Sequence, residues 1–322
     1  MKFPDFSYIF RKYLKKIKLF ILKPSQKLLA ESKLEQKEKF NKLKTKLTDL
    51  YLKVKIGDID HFLTPFWKQK EEQLEKEMIY DTPFSFLRNS DICYTMFVSA
   101  GGKWLKSELK YLEKNISQVM LKKLLIEDYI GEPLLMNSKY LTSHNSIHHL
   151  YHFVKFLNIT GTKLDEIDTI IEWGGGYGNM AKILSRFTYN NNTYIIIDIP
   201  LMSCIQWIYL TAILGPENVN LIQNSDEKII NGKINLLPIS FLERYTINGD
   251  LFISTWAITE SSKYSQDYVL KLNWFNCNHI LLSYCSKSKI KFPTNLIQNV
   301  ENDKNFIIEN IEFLPNNKYA FQ

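Results

Sequence analysis

Ile170-Ile-Glu-Trp-Gly-Gly-Gly-Tyr-Gly-Asn-Met-Ala-Lys-Ile-Leu184 passes from β-branched residues, through four glycines, into a helical pattern. Its order is that of a strand, a tight turn and a helix. Glycines at 174, 176 and 178 permit positive φ and let a ligand approach the backbone, while a helix beginning near Asn179 offers unpaired N–H groups. A nucleotide-like guest suits such a turn. Asp198 ends the next apolar run, where a carboxylate can accept hydrogen bonds from both ribose hydroxyls.

Beyond Gly161 short apolar runs alternate with helical patterns, at 169–172, 193–198, 219–223, 234–237, 251–254, 280–284, 306–313 and 319–321. Runs buried on both faces and separated by helices imply an α/β fold, a Rossmann-like doubly wound parallel sheet over 161–322. The turn at 314–318 can join the last two runs as antiparallel strands. Residues 57–160 read as a helical cap or substrate region, with long mixed segments at 67–78 and 103–130 and breaks at Gly101 and Gly131.

The net charge of +7 belongs to the start of the chain: residues 1–56 hold sixteen Lys or Arg against five Asp or Glu. There Phe6, Ile9, Phe10, Tyr13, Leu14, Ile17, Phe20 and Ile21 recur at three- and four-residue steps, so 1–56 reads as a basic amphipathic helical segment that Pro24 interrupts. Such a face is most simply solvated. The functional reading is peripheral contact with an anionic membrane, each basic residue contributing about 1 kcal/mol. No aromatic-basic reader pattern points to nucleic acid. No apolar run is long enough to span a bilayer, and no signal-peptide pattern precedes Pro24. Cys93, Cys204, Cys277 and Cys285 are scattered and include no C-x-x-C pair, which fits a reduced cytoplasmic setting.

Gly176, Gly178 and Ala181 satisfy the weak dinucleotide pattern G-x-G-x-x-A, so a nicotinamide-dependent oxidoreductase is one reading. Glu172 separates it from another. A carboxylate two residues before the turn repels a pyrophosphate and attracts a ligand carrying a sulfonium and an ammonium. Glu172-x-Gly174-x-Gly176-x-Gly178, with Asp198, resembles the first motif and second-strand acid of the class I S-adenosylmethionine-dependent methyltransferases. That resemblance implies seven strands with the last antiparallel, and S-adenosylmethionine as cofactor. More narrowly, His148-His-Leu-Tyr-His152, the glycine loop, Ile197-Asp-Ile-Pro200 and Ser254-Thr-Trp-Ala-Ile-Thr-Glu-Ser261 together resemble the sugar O-methyltransferases of bacterial surface-polysaccharide gene clusters. This implies a hydroxyl of a sugar or sugar nucleotide in surface-polysaccharide biosynthesis, or of another small molecule, as methyl acceptor. A non-catalytic scaffold with the same fold is the remaining alternative.

A hydroxyl becomes a useful nucleophile when a base takes its proton. Four of the six histidines lie in Ser143-His-Asn-Ser-Ile-His-His-Leu-Tyr-His152, where 145, 148, 149 and 152 share one helical face. His148 or His149 is therefore expected as the base, with Asn145 and His152 beside the acceptor. The run at 250–260 reads as a central strand opening into a loop at the ligand crevice. Ser254 is assigned to the cofactor, Thr255 and Trp256 to the acceptor, and Glu260 to catalysis by orienting hydroxyls or supporting the histidine. Glu172, Gly174, Gly175, Gly176, Gly178 and Asp198 complete the cofactor set, and Ser240 and Phe241 are placed to flank adenine. A histidine pair one turn apart can also bind a divalent metal, but no H-E-x-x-H or comparable acid accompanies it, so no metal site is assigned.

Overall fold

The computed structural model describes residues 26–96, 102–137, 139–188, 192–286 and 295–322. The basic helix expected over positions 6 to 21 lies outside them. Helices fill the first half: α1 (Gln26–Val54), α2 (Pro65–Glu75), α3 (Ser90–Met96), α4 (Gly102–Asn115), α5 (Gln118–Leu125) and α6 (His144–Thr160). Their ends follow local chemistry. Thr64 Oγ1 accepts from the N–H of Trp67 at 3.4 Å just before Pro65, and Ser143 Oγ from that of Ser146 at 3.1 Å. Gly161, at a φ of 75°, closes α6. The segment 103–130 holds two helices rather than one, because Ser117 accepts from the N–H of Met120 at 3.3 Å and starts a second.

The second half runs β1 (Thr169–Trp173), α7 (Asn179–Phe187), β2 (Thr193–Asp198), α8 (Pro200–Leu214), β3 (Val219–Leu221), β4 (Ile234–Pro238), α9 (Ile239–Leu242), β5 (Leu251–Thr255), α10 (Ala257–Glu260), α11 (Lys263–Lys271), β6 (His279–Cys285), α12 (Leu296–Asn302), β7 (Ile307–Asn310) and β8 (Asn317–Phe321). These strands form one sheet in the order β3-β4-β2-β1-β5-β6-β8-β7. Pairs from β3 to β6 are parallel, and β8 runs antiparallel to both β6 and β7. This is a Rossmann-like class I fold with its last strand reversed. Among the described residues it has eight strands, one at each apolar run of the sequence, where the resemblance implied seven. The extra one is the three-residue edge strand β3, which falls in the run at 219–223 and is tied to β4 by the Asn220 amide donating to Asn235 Oδ1 at 3.0 Å.

The chain leaves β1 towards β2, β4 and β3, then returns to the other side of β1 to make β5. The crevice outside the carboxyl ends of β1 and β5 is thus the topological switch point, where ligands of open α/β sheets bind. The main apolar core runs from Phe40 to Phe321 and crosses the expected segment limits near residues 56 and 160. Phe40, Leu47 and Tyr51 of α1 belong to it, and α6 reaches the sheet through Phe156, whose ring lies 6.3 Å from that of Phe321. The apolar α8 is a core helix, and among the described residues no helix is long and apolar enough to cross a membrane.

Candidate functional site

The glycine turn is built for close contact. Gly174, Gly176 and Gly178 have φ of 74°, 56° and 91°, conformations that side chains strongly disfavour. The Gly174 N–H donates to the Ile197 carbonyl at 2.9 Å, which ties the turn to β2. A Cβ at 174 would lie 2.2 Å from that of Ala257, and one at 175 would lie 3.0 Å from Glu172 Oε2. Gly174→Ala is therefore expected to lower stability by about 1–3 kcal/mol through overlap and backbone strain, read by urea unfolding. A change below about 0.5 kcal/mol would show that the loop is not held against α10.

Beside this turn, at the switch point, lies a cavity of about 360 Å³. Three carboxylates face it and, among the described residues lining it, no lysine or arginine does. Glu172 Oε2 accepts from the Tyr194 hydroxyl at 2.9 Å. Burial, aided by neighbouring Asp198 and opposed by Tyr194, pushes the Glu172 carboxyl up to about 8. Asp198 accepts from the Ile199 N–H at 2.8 Å and the Gln206 amide at 2.7 Å, yet burial raises it to about 7. Glu260 is also raised by burial to about 7. Its side chain is open to the cavity, but the cavity is deep enough to desolvate it. Such a site holds acids whose ionisation a cationic guest would favour, and it opposes an anionic one.

Of the histidines on α6, His149 lines the cavity, with Nδ1 3.2 Å from the Asn179 amide. His148 turns the other way. It is fully buried, with Nδ1 2.7 Å from Glu108 Oε1 of α4. Burial pushes Glu108 up to about 9 and His148 down to about 3, so at neutral pH a protonated carboxyl donates to a neutral ring. His152 is buried beneath Trp256, their rings 5.7 Å apart, and neither of its ring nitrogens has a partner. Among the described residues no group of three His, Cys, Asp or Glu is placed to hold a metal.

Glu172, Gly174, Gly175, Gly176, Asp198, His149, Thr255, Trp256 and Glu260 thus meet around one cavity, and the other expected site residues lie away from it. Gly178 starts α7 and backs onto Leu210. Ser240 donates to the Val54 carbonyl at 2.7 Å, Phe241 fills core, and Ile239 is the residue of that segment on the cavity. Ser254 accepts from the Ile258 N–H at 2.9 Å and so starts α10. The Asn145 amide donates to the Tyr177 hydroxyl at 3.1 Å. A helical face spans too wide an arc for four residues to reach one small cavity.

Sequence reasoning expected a cap over 57–160 but named, of the residues that line the cavity from it, His149 alone. Phe62, Leu63 and Trp67, with Thr95 and Met96 of α3, line the cavity from the first half of the chain, where no motif marks them. It also missed Gln206, whose amide donates both to Asp198 and, at 2.9 Å, to the Gly176 carbonyl, bracing the turn against β2. A glutamine inside an otherwise apolar helix was the available signal. Trp256 has φ of 66° and ψ of −31°, is held by its N–H to the Ser283 carbonyl at 2.6 Å, and donates from its indole to Asn317 at 2.7 Å. A strained aromatic held at a crevice is a common mark of a ligand site.

No protein-family model matches the chain, and comparison with curated proteins finds no match. Among solved structures it is similar to the pyocyanin biosynthetic protein PhzM, at 13% identity and a TM-score of 0.33, over 57% of this chain and 56% of that one. It is similar to PigF with SAH at 10% identity and 0.37, over 93% and 99% of the two chains. It is also similar to human N-acetylserotonin methyltransferase in complex with SAM, at 12% and 0.29, over 94% and 98%. The chain spans little more than half the length of PhzM. Scores of this size add nothing to the strand order as evidence of fold.

Proposed function

We propose that this protein is an S-adenosylmethionine-dependent methyltransferase acting on the hydroxyl of an uncharged acceptor, a sugar. One observation carries the reading: three desolvated carboxylates, and no lysine or arginine among the described lining residues, beside a glycine turn at the switch point. The residues fit the cofactor. The glycine turn admits the nucleoside to backbone contact, Asp198 offers its carboxylate to a ribose, and Glu172 offers its own to the cationic end. S-adenosylmethionine supplies an electrophilic methyl on its sulfonium. The same lack of basic side chains disfavours a pyrophosphate, and so counts against a nicotinamide dinucleotide. It also keeps the diphosphate of any sugar nucleotide out of the cavity. Trp67, Trp173 and Trp256 give aromatic walls of the kind on which sugar rings stack.

Calorimetry tests this directly. S-adenosylmethionine and its demethylated product should bind, and NADH should not; the reverse pattern would remove the proposal. Affinity should also depend on pH in a stated direction. Glu172 must give up its proton to face a cation, and burial raises the free group to about 8, so affinity tightens by up to about tenfold per unit as pH rises towards about 8 and levels off above it. Glu172→Gln should flatten that slope.

A further inference from the structure

Glu127 and Lys182 form an ion pair closed off from solvent, Nζ 2.8 Å from Oε2, at the junction of α6 and α7. Burial pushes the Glu127 carboxyl up, but Lys182, Ser143 and Ser146 outweigh it and hold the group below its ordinary value. Glu127 is thus ionised and can only accept hydrogen bonds. Ser143 Oγ donates to its Oε1 at 2.5 Å, and Ser146 Oγ approaches the same oxygen more closely still. Two oxygens that close need a hydrogen between them, and Ser146 owns only one.

Asn179 stands next in line. Its amide lies 3.2 Å from Ser146 Oγ through Oδ1, and 3.2 Å from His149 Nδ1 through Nδ2. With that orientation Ser146 would have to donate twice. Because its hydrogen is committed to Glu127, Ser146 must receive from Asn179. A half-turn of the amide, which leaves its heavy-atom envelope unchanged, puts Nδ2 on the serine and Oδ1 on the histidine. The oxygen then accepts from His149 Nδ1, which must carry the ring's hydrogen. Burial, with His148 and Lys182 nearby, lowers His149 to about 3, so the ring is neutral and carries a single N–H.

We propose that Asn179 is a positioning residue that fixes His149 as its Nδ1–H tautomer, leaving Nε2 bare towards the cavity to accept the hydrogen of the acceptor hydroxyl. Lys182, Glu127 and Ser146 set the direction of that chain from within the fold. The opposite tautomer would present an N–H and could take no proton. This inference rests on the methyl-transfer reading for its chemistry: the O–CH3 bond forms, the S–CH3 bond breaks with its electrons remaining on sulfur, and the hydroxyl proton goes to Nε2. The imidazolium so made keeps its Nδ1–H on the Asn179 oxygen.

The test is nitrogen-15 NMR of the full chain labelled at histidine, in which ring couplings distinguish the two neutral tautomers. The His149 signal is assigned by its loss in His149→Gln, or by through-bond correlation if that variant does not fold. Unliganded protein should show Nδ1–H. Asn179→Ala and Ser146→Ala should shift the ring towards Nε2–H and lower kcat about tenfold with KM unchanged. An Nε2–H ring in the unsubstituted protein, or a tautomer indifferent to Asn179→Ala, overturns the proposal. The tautomer is read without cofactor or turnover. An Nδ1–H ring in a protein that binds no methyl donor would therefore sink the methyltransferase reading and leave this hydrogen-bond direction standing.

Discussion

Replacing Lys182 with methionine should lower the unfolding free energy at pH 7 by about 3–5 kcal/mol, because it strands an ionised carboxylate in the interior. The side chains of both partners are essentially closed to water. The two serines and the Ser143 N–H would still donate to Glu127, but hydrogen bonds alone do not offset the lost charge. The sign of the pH dependence follows. In the native protein Glu127 is held below its ordinary value, so its contribution is present above about pH 4.5 and fades as pH falls through the folded value. Without the lysine, burial is opposed only by the serine hydrogen bonds and raises the group, so the penalty appears as the unfolded carboxyl ionises. Both trends widen the gap between pH 4 and 7. Urea unfolding across that range measures it, and a difference of equal size at pH 4 would show that lost packing, not stranded charge, is responsible. Adding Glu127→Gln to the variant should recover part of the loss, which a cavity left by the lysine stem could not explain.

That pair also shows what a sequence conceals. Nothing about Glu127 or Lys182 marks them as partners: they lie 55 positions apart, Glu127 in the connection after α5 and Lys182 on α7, and each is one of many charged residues. The strands were readable because their apolar runs are continuous, a pattern that few other environments produce. The turn was readable because four glycines in five positions have few uses. Glu172, Asp198 and the β5 elbow followed, since the strand ends of a doubly wound sheet converge on one crevice. The run at 219–223 was readable in the same way, though only its first three residues form β3. Polar side chains were hardest to place. Ser240 and Ser254 sit in the right segments, but each spends its hydroxyl on backbone, a local bond that competes with any ligand. The four polar residues of α6 were read as one face. Burial on nearly every side of that helix sends His148 to Glu108, His152 under Trp256, and His149 alone to the cavity.

His149 and Glu260 face the same cavity, and their different titrations decide which of them takes the acceptor's proton. His149 is neutral throughout the physiological range, so a base at that position gives no inflection near neutrality. Glu260 in the unliganded protein titrates near 7, and a bound cation lowers that value, so any dependence on its charge appears as an inflection at or below 7. If His149 is the base and Glu260 orients the acceptor, His149→Gln lowers kcat by about 10²–10⁴ at every pH, the range expected for loss of general-base catalysis. Glu260→Gln then lowers kcat/KM for the acceptor by about tenfold at saturating donor and removes the inflection, while leaving most of kcat. The converse result, with Glu260→Gln inactive and His149→Gln retaining turnover and the inflection, would move the base to the carboxylate. Donor affinity should change little in His149→Gln, because the groups assigned to the donor are Glu172, Asp198 and the glycine backbone on the β1–β2 side of the crevice, and should weaken modestly in Glu260→Gln, which removes a charge that the bound cation favours.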